Sequence, residues 1–414
     1  MGATPFAAWR EPAIFVSNEL PNTGKGVSYT CASIARNLAD QKLQVEMYTP
    51  YGSFRSWGAY RTHRTLPTVL RFIPYNRMIA FSRRRNEAAF LESVRAAAER
   101  GPVVAHMWPN PDIALLQRLR DAGVTLVREM INSHVATAVE LLDEEYRRLG
   151  LPRGHAITAE HVAYETQSLK LFDYVFCSNA LVERSVIEHG VPERKILPTS
   201  FGWDPARFQG DRRALGAGDG VTFLFVGLIC VRKGAHLLMR YWAESGIRGR
   251  LVLVGRPEPA LVKACEKYLR RGDIVLVDHT PKIADYYRSA DAFVFPSVEE
   301  GGPQVTYEAA GCGLPLIVSP MGAARIADET TGFVVDPHDR RGWIDAMRSL
   351  AENVADRNRF GAAARRKAEN FTWAEVARSR AEAFRAIGAG ADMARAPVRA
   401  LEPPATVTAA AVGA

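Results

Sequence analysis

Residues 291–313 read DAFVFPSVEEGGPQVTYEAAGCG, and this stretch decides how the rest of the chain is interpreted. An apolar run predicts a buried strand, a Gly-Gly-Pro turn follows it, and small residues then predict a helix. Glu300 lies in the loop at the strand end, and Glu308 lies about one turn into the helix. In an open α/β sheet, ligands bind beyond the carboxyl ends of the strands, and a helix N-terminus there favours anions. The stretch therefore predicts a site for a sugar phosphate or a nucleotide.

Short apolar runs alternate with longer amphipathic runs along most of the chain, which predicts an α/β fold with two doubly wound parallel sheets in series. A length of 414 residues accommodates two such domains. A loop at 210–220 that is rich in Gly and charge marks the boundary between them. The predicted division is a flexible N-terminus at 1–12, a first domain at 13–209, a second domain at 210–372, a last helix at 373–388 and a disordered tail at 389–414.

Individual elements follow from the same patterns. In the first domain, strands are predicted at 13–17, 44–48, 103–106, 125–129 and 174–178, and helices at 28–40, 84–99, 113–122 and 160–171. In the second domain, strands are predicted at 222–227, 251–255, 274–277, 292–295, 315–318 and 332–335.

Several classes of protein are disfavoured by what the sequence lacks. It has no apolar run of membrane-spanning length and no secretory signal pattern, so a cytoplasmic protein is expected. Its five cysteines are scattered, which argues against a zinc site or a disulfide framework. There is no D-x-D, G-x-S-x-G, H-E-x-x-H or C-x-x-C pattern, so no metal, hydrolase or redox site is expected.

Positive charge is concentrated in one part of the chain. The net charge is +8, and residues 51–100 contain ten Arg and three Glu but no Lys. Within them, residues 71–85 mix Arg with apolar and aromatic side chains. This segment is either a surface for anionic lipid or an anionic acceptor, or an ordinary solvated helix face. No nucleic-acid-binding motif accompanies the charge, so nucleic acid is not an expected partner.

Two constellations place glycine or basic residues next to a predicted helix start. Gly24 and Gly26 lie in a turn that leads into a helix, where a diphosphate is often held, although a tight structural turn explains the same residues. Arg232 and Lys233 also precede a helix, whose positive dipole end disfavours bases unless an anion lies between them. A diphosphate would supply that anion, and two surface bases in a loop are the alternative.

The acid pair forms a third constellation. Glu300 and Glu308 act either as general acid and base or as acceptors of hydrogen bonds from ligand hydroxyl groups. Their neighbour Glu299 is expected to be exposed.

Polar residues at strand ends of the first domain form the fourth constellation. His106 follows one predicted strand, and Glu129, Asn132 and His134 surround the end of the next. The two segments converge on one sheet edge, so either a functional site or satisfied structural side chains are expected there.

Taken together, these motifs resemble those of the retaining glycosyltransferases of family 4, which have the GT-B fold. Glu300 and Glu308 match the E-x7-E motif of that family, and Lys233 matches its diphosphate-binding lysine. The resemblance spans roughly 13–385 and is strongest from 227 to 337. Further similar segments lie at 177–180, 202–205, 285–297, 319–323, 331–337 and 371–373.

The resemblance implies two Rossmann-like domains that face each other across a cleft. Residues 13–209 would form the acceptor side, residues 210–372 would bind the nucleotide sugar, and the helix at 373–388 would cross back to the first domain. Glu308 would bind the donor ribose and Glu300 the donor sugar. Backbone amides after Glu300 would hold sugar hydroxyl groups and phosphate, namely those of Gly301, Gly302, Gln304 and Val305.

The chain also departs from the family pattern. The family usually has Arg directly after the glycine at 227, where this chain has Leu228, so Arg232 is expected to take that role. Pro303 stands where a glycine is usual and removes one N–H group. The family's cleft histidine matches His134, with Asn132 as the alternative.

The expected function is transfer of a sugar from a UDP- or GDP-linked donor to an acceptor hydroxyl with retention, without a metal or other cofactor, in polysaccharide or glycolipid assembly. Glu300, Lys233, Arg232 and His134 would carry the catalysis. The expected partners are the donor, a carbohydrate or lipid-linked acceptor, and an anionic membrane through residues 71–85. A sugar-nucleotide epimerase of the same fold and a non-catalytic nucleotide-sugar-binding subunit are the alternatives.

Overall fold

The computed structural model describes residues 11–21, 26–52, 59–216 and 218–391. Gly24, the first ten residues and residues 392–414 of the predicted tail lie outside the described residues.

The described residues form two parallel sheets, which confirms the predicted fold class. The first sheet has the order β3-β2-β1-β4-β5-β6-β7, and the second has the order β10-β9-β8-β11-β12-β13. The strands are β1 (Ala13–Ser17), β2 (Val45–Thr49), β3 (Tyr60–Arg64), β4 (Val103–Met107), β5 (Thr125–Glu129), β6 (Tyr174–Cys177), β7 (Ile196–Pro198), β8 (Val221–Val226), β9 (Gly249–Val254), β10 (Ile274–Val277), β11 (Ala292–Phe295), β12 (Leu316–Val318) and β13 (Gly332–Val334).

Helices cover both faces of each sheet, as parallel sheets require. They are α1 (Gly26–Asp40), α2 (Ile79–Ala98), α3 (Ile113–Asp121), α4 (Val135–Arg148), α5 (Ala159–Leu169), α6 (Ala180–Glu188), α7 (Ala235–Ser245), α8 (Pro259–Ala264), α9 (Glu266–Leu269), α10 (Ile283–Tyr287), α11 (Gln304–Gly311), α12 (Arg340–Glu352), α13 (Val354–Ala368) and α14 (Trp373–Gly388). The predicted strands are all present, with ends shifted by at most two residues.

The central strands read as continuous apolar runs because both of their faces are covered. In β8 and β11, every residue after Val221 is buried. Such strands were readily found in the sequence, whereas two edge strands were not. β3 reads Tyr-Arg-Thr-His-Arg and buries only Tyr60, and β7 has only three residues. An edge strand with one solvated face carries too little apolar signal to stand out.

Each sheet reverses its strand order at one point, which is where ligands bind in such sheets. The reversal lies between β1 and β4 in the first sheet and between β8 and β11 in the second.

The chain crosses between the two sheets twice, and the crossings are joined to each other. The Trp203 N–H donates to the Phe371 carbonyl at 3.1 Å, and the Trp373 N–H donates back to the Trp203 carbonyl at 3.1 Å. After this point α14 returns to the first sheet and packs against α1, where Trp373 meets the ring of Tyr29 edge-on. The buried guanidinium of Arg380 fixes α14 there.

Candidate active site

The strand reversal of the second sheet brings the two main sequence motifs together. The loop after β8 contains Arg232 and Lys233, and the loop after β11 contains Glu300 and leads into α11. Because β8 and β11 are neighbours and parallel, both loops leave the same edge of the sheet. The two bases and the acid therefore meet, although almost seventy residues separate them in sequence.

Lys233 lies in a 3-10 turn, Val231–Lys233, rather than in the first turn of the following helix. The turn ends at Gly234, whose φ of +67° favours glycine and whose Cβ position would overlap the Pro296 carbonyl. Only glycine allows the two loops to approach this closely. The Lys233 ammonium forms an ion pair with Glu300 and lies 5.3 Å from the centre of the Phe295 ring.

Burial makes this arrangement unfavourable for positive charge. Lys233 is 9% exposed, and its burial lowers the pKa of the ammonium, with the nearby Arg232 lowering it further. The Arg232 Nη1 lies 3.6 Å from the Glu300 carboxylate and 3.3 Å from that of Glu299. Two cations held together at a strand reversal would gain from a polyanionic ligand, since it would add negative charge between them.

Glu299 corrects the sequence prediction, which was wrong about its exposure. Its side chain is 1% exposed and reaches across the cleft to the first domain. One carboxylate oxygen accepts from the Ser133 N–H at 3.1 Å and from the Ser133 hydroxyl at 2.8 Å. The other oxygen accepts from Arg232 at 3.3 Å and from the Asn132 amide at 3.5 Å. A run of two acids gave no signal that one of them is buried.

The glycines after Glu300 lie directly against the first domain. A Cβ at Gly301 would overlap the Ile131 carbonyl, and a Cβ at Gly302 would meet the ring of Phe201 at 2.6 Å. The Gly301 carbonyl also accepts a hydrogen bond from the Asn179 side chain. Glycine is therefore required here by the close approach of the two domains.

Helix α11 places the remaining predicted donor-binding residues. It begins at Gln304 after Pro303, which has a φ of −65° and provides no side-chain cap. The Gln304 amide donates to the Thr30 hydroxyl of α1, so it also bridges the domains. The N-terminus of this helix directly follows the loop that contains Glu300.

Glu308 lies one turn further along α11 and accepts from the Tyr287 hydroxyl at 3.1 Å. The same hydroxyl is 3.3 Å from the Val305 carbonyl. Burial raises the pKa of Glu308, and the charge of Arg207 and the Tyr287 hydrogen bond oppose that rise. Hydroxyl groups of a ligand that donate to Glu308 would favour the ionised form of this carboxylate, as the Tyr287 hydroxyl does.

His134 lies on the first-domain side as the N-cap of α4. Its Nδ1 accepts from the Ala136 N–H at 3.2 Å, its Nε2 is 3.3 Å from the Thr166 hydroxyl, and its ring stacks on His189. Burial, together with the charge of His189, lowers the pKa of His134 to about 4. These contacts all lie within the first domain, while the preceding residues Asn132 and Ser133 reach Glu299 of the second domain.

His106 and Glu129 belong to a separate buried cluster on the α14 side of the first sheet. The His106 ring lies 2.9 Å from the Glu129 carboxylate, which also pairs with Arg380 at 2.6 Å. The structure thus divides the fourth sequence constellation in two. Asn132 reaches the cleft, and His106 and Glu129 hold α14.

Two predicted phosphate-binding features can be placed. Gly26 begins α1 with a φ of +59° in open space, whereas its neighbour Gly24 is outside the described residues. Leu228, at the position where the family has Arg, is 53% exposed. It lines a cavity of about 350 Å³ between α4 and the loops after β8 and β9, and Arg232 lines the same cavity. Arg232 and Arg256 are the two arginines that line this cavity.

Further contacts hold the domains together on both sides of this site. Arg325 of the second domain pairs with Glu183 of the first. At the far end of α4, the buried Glu145 lies 2.7 Å from the His236 ring and 3.2 Å from that of His338. Burial would raise the pKa of Glu145, but the hydrogen bonds from both histidines outweigh it and lower the pKa to about 2.

Among the described residues, no group of three or more His, Cys, Asp or Glu side chains is arranged to hold a metal ion. Within the same residues, no helix combines the length and apolar character needed to cross a membrane.

Comparison with known proteins gives a family match within the second domain. Residues 220–353 match the family model described as glycosyl transferases group 1. The chain is 28% identical over 410 residues to the D-inositol 3-phosphate glycosyltransferase of Thermobispora bispora, covering 88% of this chain and 91% of that protein. A protein of the same name from Geodermatophilus obscurus is 32% identical over 275 residues, covering 60% and 59% of the two chains.

Solved structures share the whole architecture. Sucrose-phosphate synthase from Thermosynechococcus elongatus superposes with a TM-score of 0.70 at 19% identity, covering 92% of this chain and all of that one. HepE of Anabaena, solved in complex with UDP, superposes with a TM-score of 0.63 at 14% identity, covering 90% and 99%. At these identities the likeness establishes the fold.

Proposed function

Because this chain is a group 1 glycosyltransferase with the GT-B fold, we propose that it transfers a sugar from a UDP- or GDP-linked donor to an acceptor hydroxyl with retention of configuration. The observation that carries the proposal is the meeting of Lys233, Arg232 and Glu300 at the strand reversal of the second sheet. Such a cluster suits a diphosphate next to a sugar.

Donor binding would change the pairing within this cluster. Lys233 forms an ion pair with Glu300 in the structure. A diphosphate would take over Lys233 and Arg232, and the Glu300 carboxylate would then be available to a sugar hydroxyl. The N–H groups at the start of α11 would add donors to the phosphates or to the sugar.

The leaving diphosphate would gain negative charge as the bond to the sugar breaks. Lys233 and Arg232 would stabilise that charge, and each preorganised donor of this kind is commonly worth about 3–4 kcal/mol in the barrier. In a retaining reaction of this class, the departing phosphate oxygen would accept the proton of the acceptor hydroxyl. No nucleophilic side chain would then be needed, and Glu308 would hold the donor ribose.

The acceptor would approach from the first domain, past Asn132, Ser133 and His134. The relatives are named for transfer to D-inositol 3-phosphate, so inositol phosphates are the first acceptors to test, followed by polysaccharide and glycolipid acceptors. We propose no metal requirement, and turnover in excess EDTA would check this.

Peripheral contact with an anionic membrane is proposed for the region around residues 71–85. Ile79 and Phe81 at the start of α2 are 45% and 48% exposed, and Ile73 is 41% exposed. Arginines flank these apolar residues in the sequence. The wild-type protein should sediment with vesicles that contain anionic lipid, and a variant with Ile79 and Phe81 both replaced by Ser should not. Equal sedimentation of the two proteins would contradict the contact.

The central test measures release of UDP or GDP from a panel of nucleotide sugars. Lys233→Ala is expected to lower kcat by about 10²–10³-fold, because one charge-stabilising donor is lost. Glu308→Gln is expected to raise the KM for the donor, because a neutral amide holds the ribose less well. Lys263→Ala, which removes an exposed lysine from α8, is the matched control.

Two outcomes would reject the proposal. Full turnover by Lys233→Ala would show that Lys233 does not stabilise the departing diphosphate. Conversion of the nucleotide sugar without release of free nucleoside diphosphate would favour the epimerase, and tight binding without turnover would favour the non-catalytic subunit.

A further inference from the structure

Glu299 is the side chain through which the two domains and the basic pair are joined. It is buried, yet it comes from a loop at the cleft and makes four side-chain contacts. Two of these are with Ser133, at the start of α4 in the first domain. The contact at 3.3 Å is with Arg232, the base beside Glu300.

Arg232 is held by Glu299 at two points. Its Nη1 donates to the Glu299 carboxylate at 3.3 Å and to the Glu299 backbone carbonyl at 3.2 Å. These bonds fix the direction of a guanidinium that is still 28% exposed and lies 3.6 Å from Glu300. The orientation of Arg232 therefore depends on a carboxylate whose own position depends on the first domain.

We propose that Glu299 is a positioning residue for the transfer step, and this proposal rests on the proposed function. It couples the contact between the domains to the orientation of Arg232, so that the guanidinium faces the departing diphosphate when Ser133 holds the carboxylate. A GT-B enzyme needs such coupling because the donor is bound mainly by one domain and the acceptor by the other.

The charge of Glu299 opposes simple donor binding. A carboxylate next to a diphosphate site repels the ligand in the ground state. Its benefit therefore lies in orientation, which matters most when charge develops on the leaving group. This predicts opposite effects on binding and on turnover.

The variant Glu299→Gln tests this prediction. The glutamine oxygen can still accept from Ser133, but its amide would present N–H groups to the N–H groups of Arg232. The dissociation constant of UDP or GDP, measured by calorimetry, should stay the same or decrease. By contrast, kcat should fall by roughly 10–100-fold, as expected when a reacting group is misplaced by about 1 Å. The aspartate variant, which keeps the charge, should recover part of kcat.

A double-mutant cycle tests the link to the first domain. Ser133→Ala should lower kcat by about 3–10-fold in the wild-type background and have no further effect in the Glu299→Gln background. Ser349→Ala is the control, since it removes a hydroxyl group from α12, a helix outside the loops of the cleft.

Two results would overturn the inference. Loss of nucleoside-diphosphate binding in Glu299→Gln, with a melting temperature well below that of the wild type, would make Glu299 a structural residue only. Additive effects of the Ser133 and Glu299 variants would remove the coupling. If the wild type turns over no nucleotide sugar, the proposed function fails, and the binding arm with UDP or GDP still decides whether Glu299 opposes anion binding.

Discussion

Two buried charge clusters of this protein differ in ways that separate a structural role from a functional one. In the first, Arg380 and Glu129 are completely buried and pair at 2.6 Å, with His106 and the Ser200 carbonyl as further partners. In the second, Lys233, Arg232, Glu299 and Glu300 lie at the strand reversal of a sheet, and the Arg232 side chain is still 28% exposed.

The difference lies in how charge is satisfied. The guanidinium of Arg380 donates hydrogen bonds to both carboxylate oxygens of Glu129 and to the Ser200 carbonyl, and it is buried where no ligand can reach it. The cleft cluster keeps two bases together, of which Arg232 is partly exposed to solvent, and burial lowers the pKa of Lys233. A buried network that no ligand can reach stabilises one structure, whereas a cluster that a ligand can reach and re-pair can serve binding and catalysis.

Breaking the first cluster should give the largest effect on stability. Arg380→Ala leaves the Glu129 carboxylate buried without its main partner, and loss of one partner of such a pair typically costs about 3–5 kcal/mol. We expect denaturant unfolding to show this loss, with the kcat of the remaining folded protein near the wild-type value. Arg378→Ala, on the exposed face of the same helix, should change the unfolding free energy by less than about 1 kcal/mol. Equal losses for the two variants would contradict the structural assignment.

Preventing contact between the cleft cluster and the first domain should affect activity instead. Gly301→Ala introduces a methyl group that would overlap the Ile131 carbonyl, so the domains can no longer approach as closely. Turnover is expected to fall by roughly 10–100-fold, while the dissociation constant of UDP or GDP stays within about threefold.

Gly272→Ala serves as control for that variant, because a methyl group at 272 meets no atom within 4 Å. Unchanged turnover in Gly301→Ala would show that the closed arrangement is not needed for transfer.

A third buried acid, Glu145, lies between these two cases and should give the smallest effect. The hydrogen bonds from His236 and His338 outweigh burial and lower its pKa to about 2 in the folded protein, against about 4.3 for an unperturbed glutamate. Its ionised form therefore stabilises the fold above pH of about 4.3, and that contribution is lost as the pH falls toward 2.

Glu145→Gln should accordingly lower the melting temperature near neutral pH, by an amount corresponding to about 1 kcal/mol. The difference from wild type should shrink between pH of about 4 and 2. Glu140→Gln, which changes an exposed acid on the same helix, provides the reference curve. A difference that stays constant across this pH range would mean that Glu145 is not held as the carboxylate.

Much of the fold could be predicted because it depends on local patterns. The apolar runs of β8 and β11 mark strands buried on both faces, and glycines near 301 mark a loop with close contacts. The edge strand β3 could not be predicted, since four of its five side chains are not buried and three are basic. Lys233 and Glu300 were recognised from their motifs, and the structure brings them together.

The sequence by itself determined the α/β class with two parallel sheets, the loops that contain the motifs, and the candidate residues, because apolar runs, turns and the spacing of the acids depend on neighbouring residues. Tertiary structure alone decided their partners. Glu299 looked like an exposed neighbour of Glu300, yet it pairs with Ser133, 166 residues away. The sequence left His106 and Glu129 open between a functional and a structural role, and the structure shows that they hold α14 through Arg380. Such pairings depend on how distant segments of the chain pack against each other, and the local spacing of apolar and polar residues does not predict those contacts.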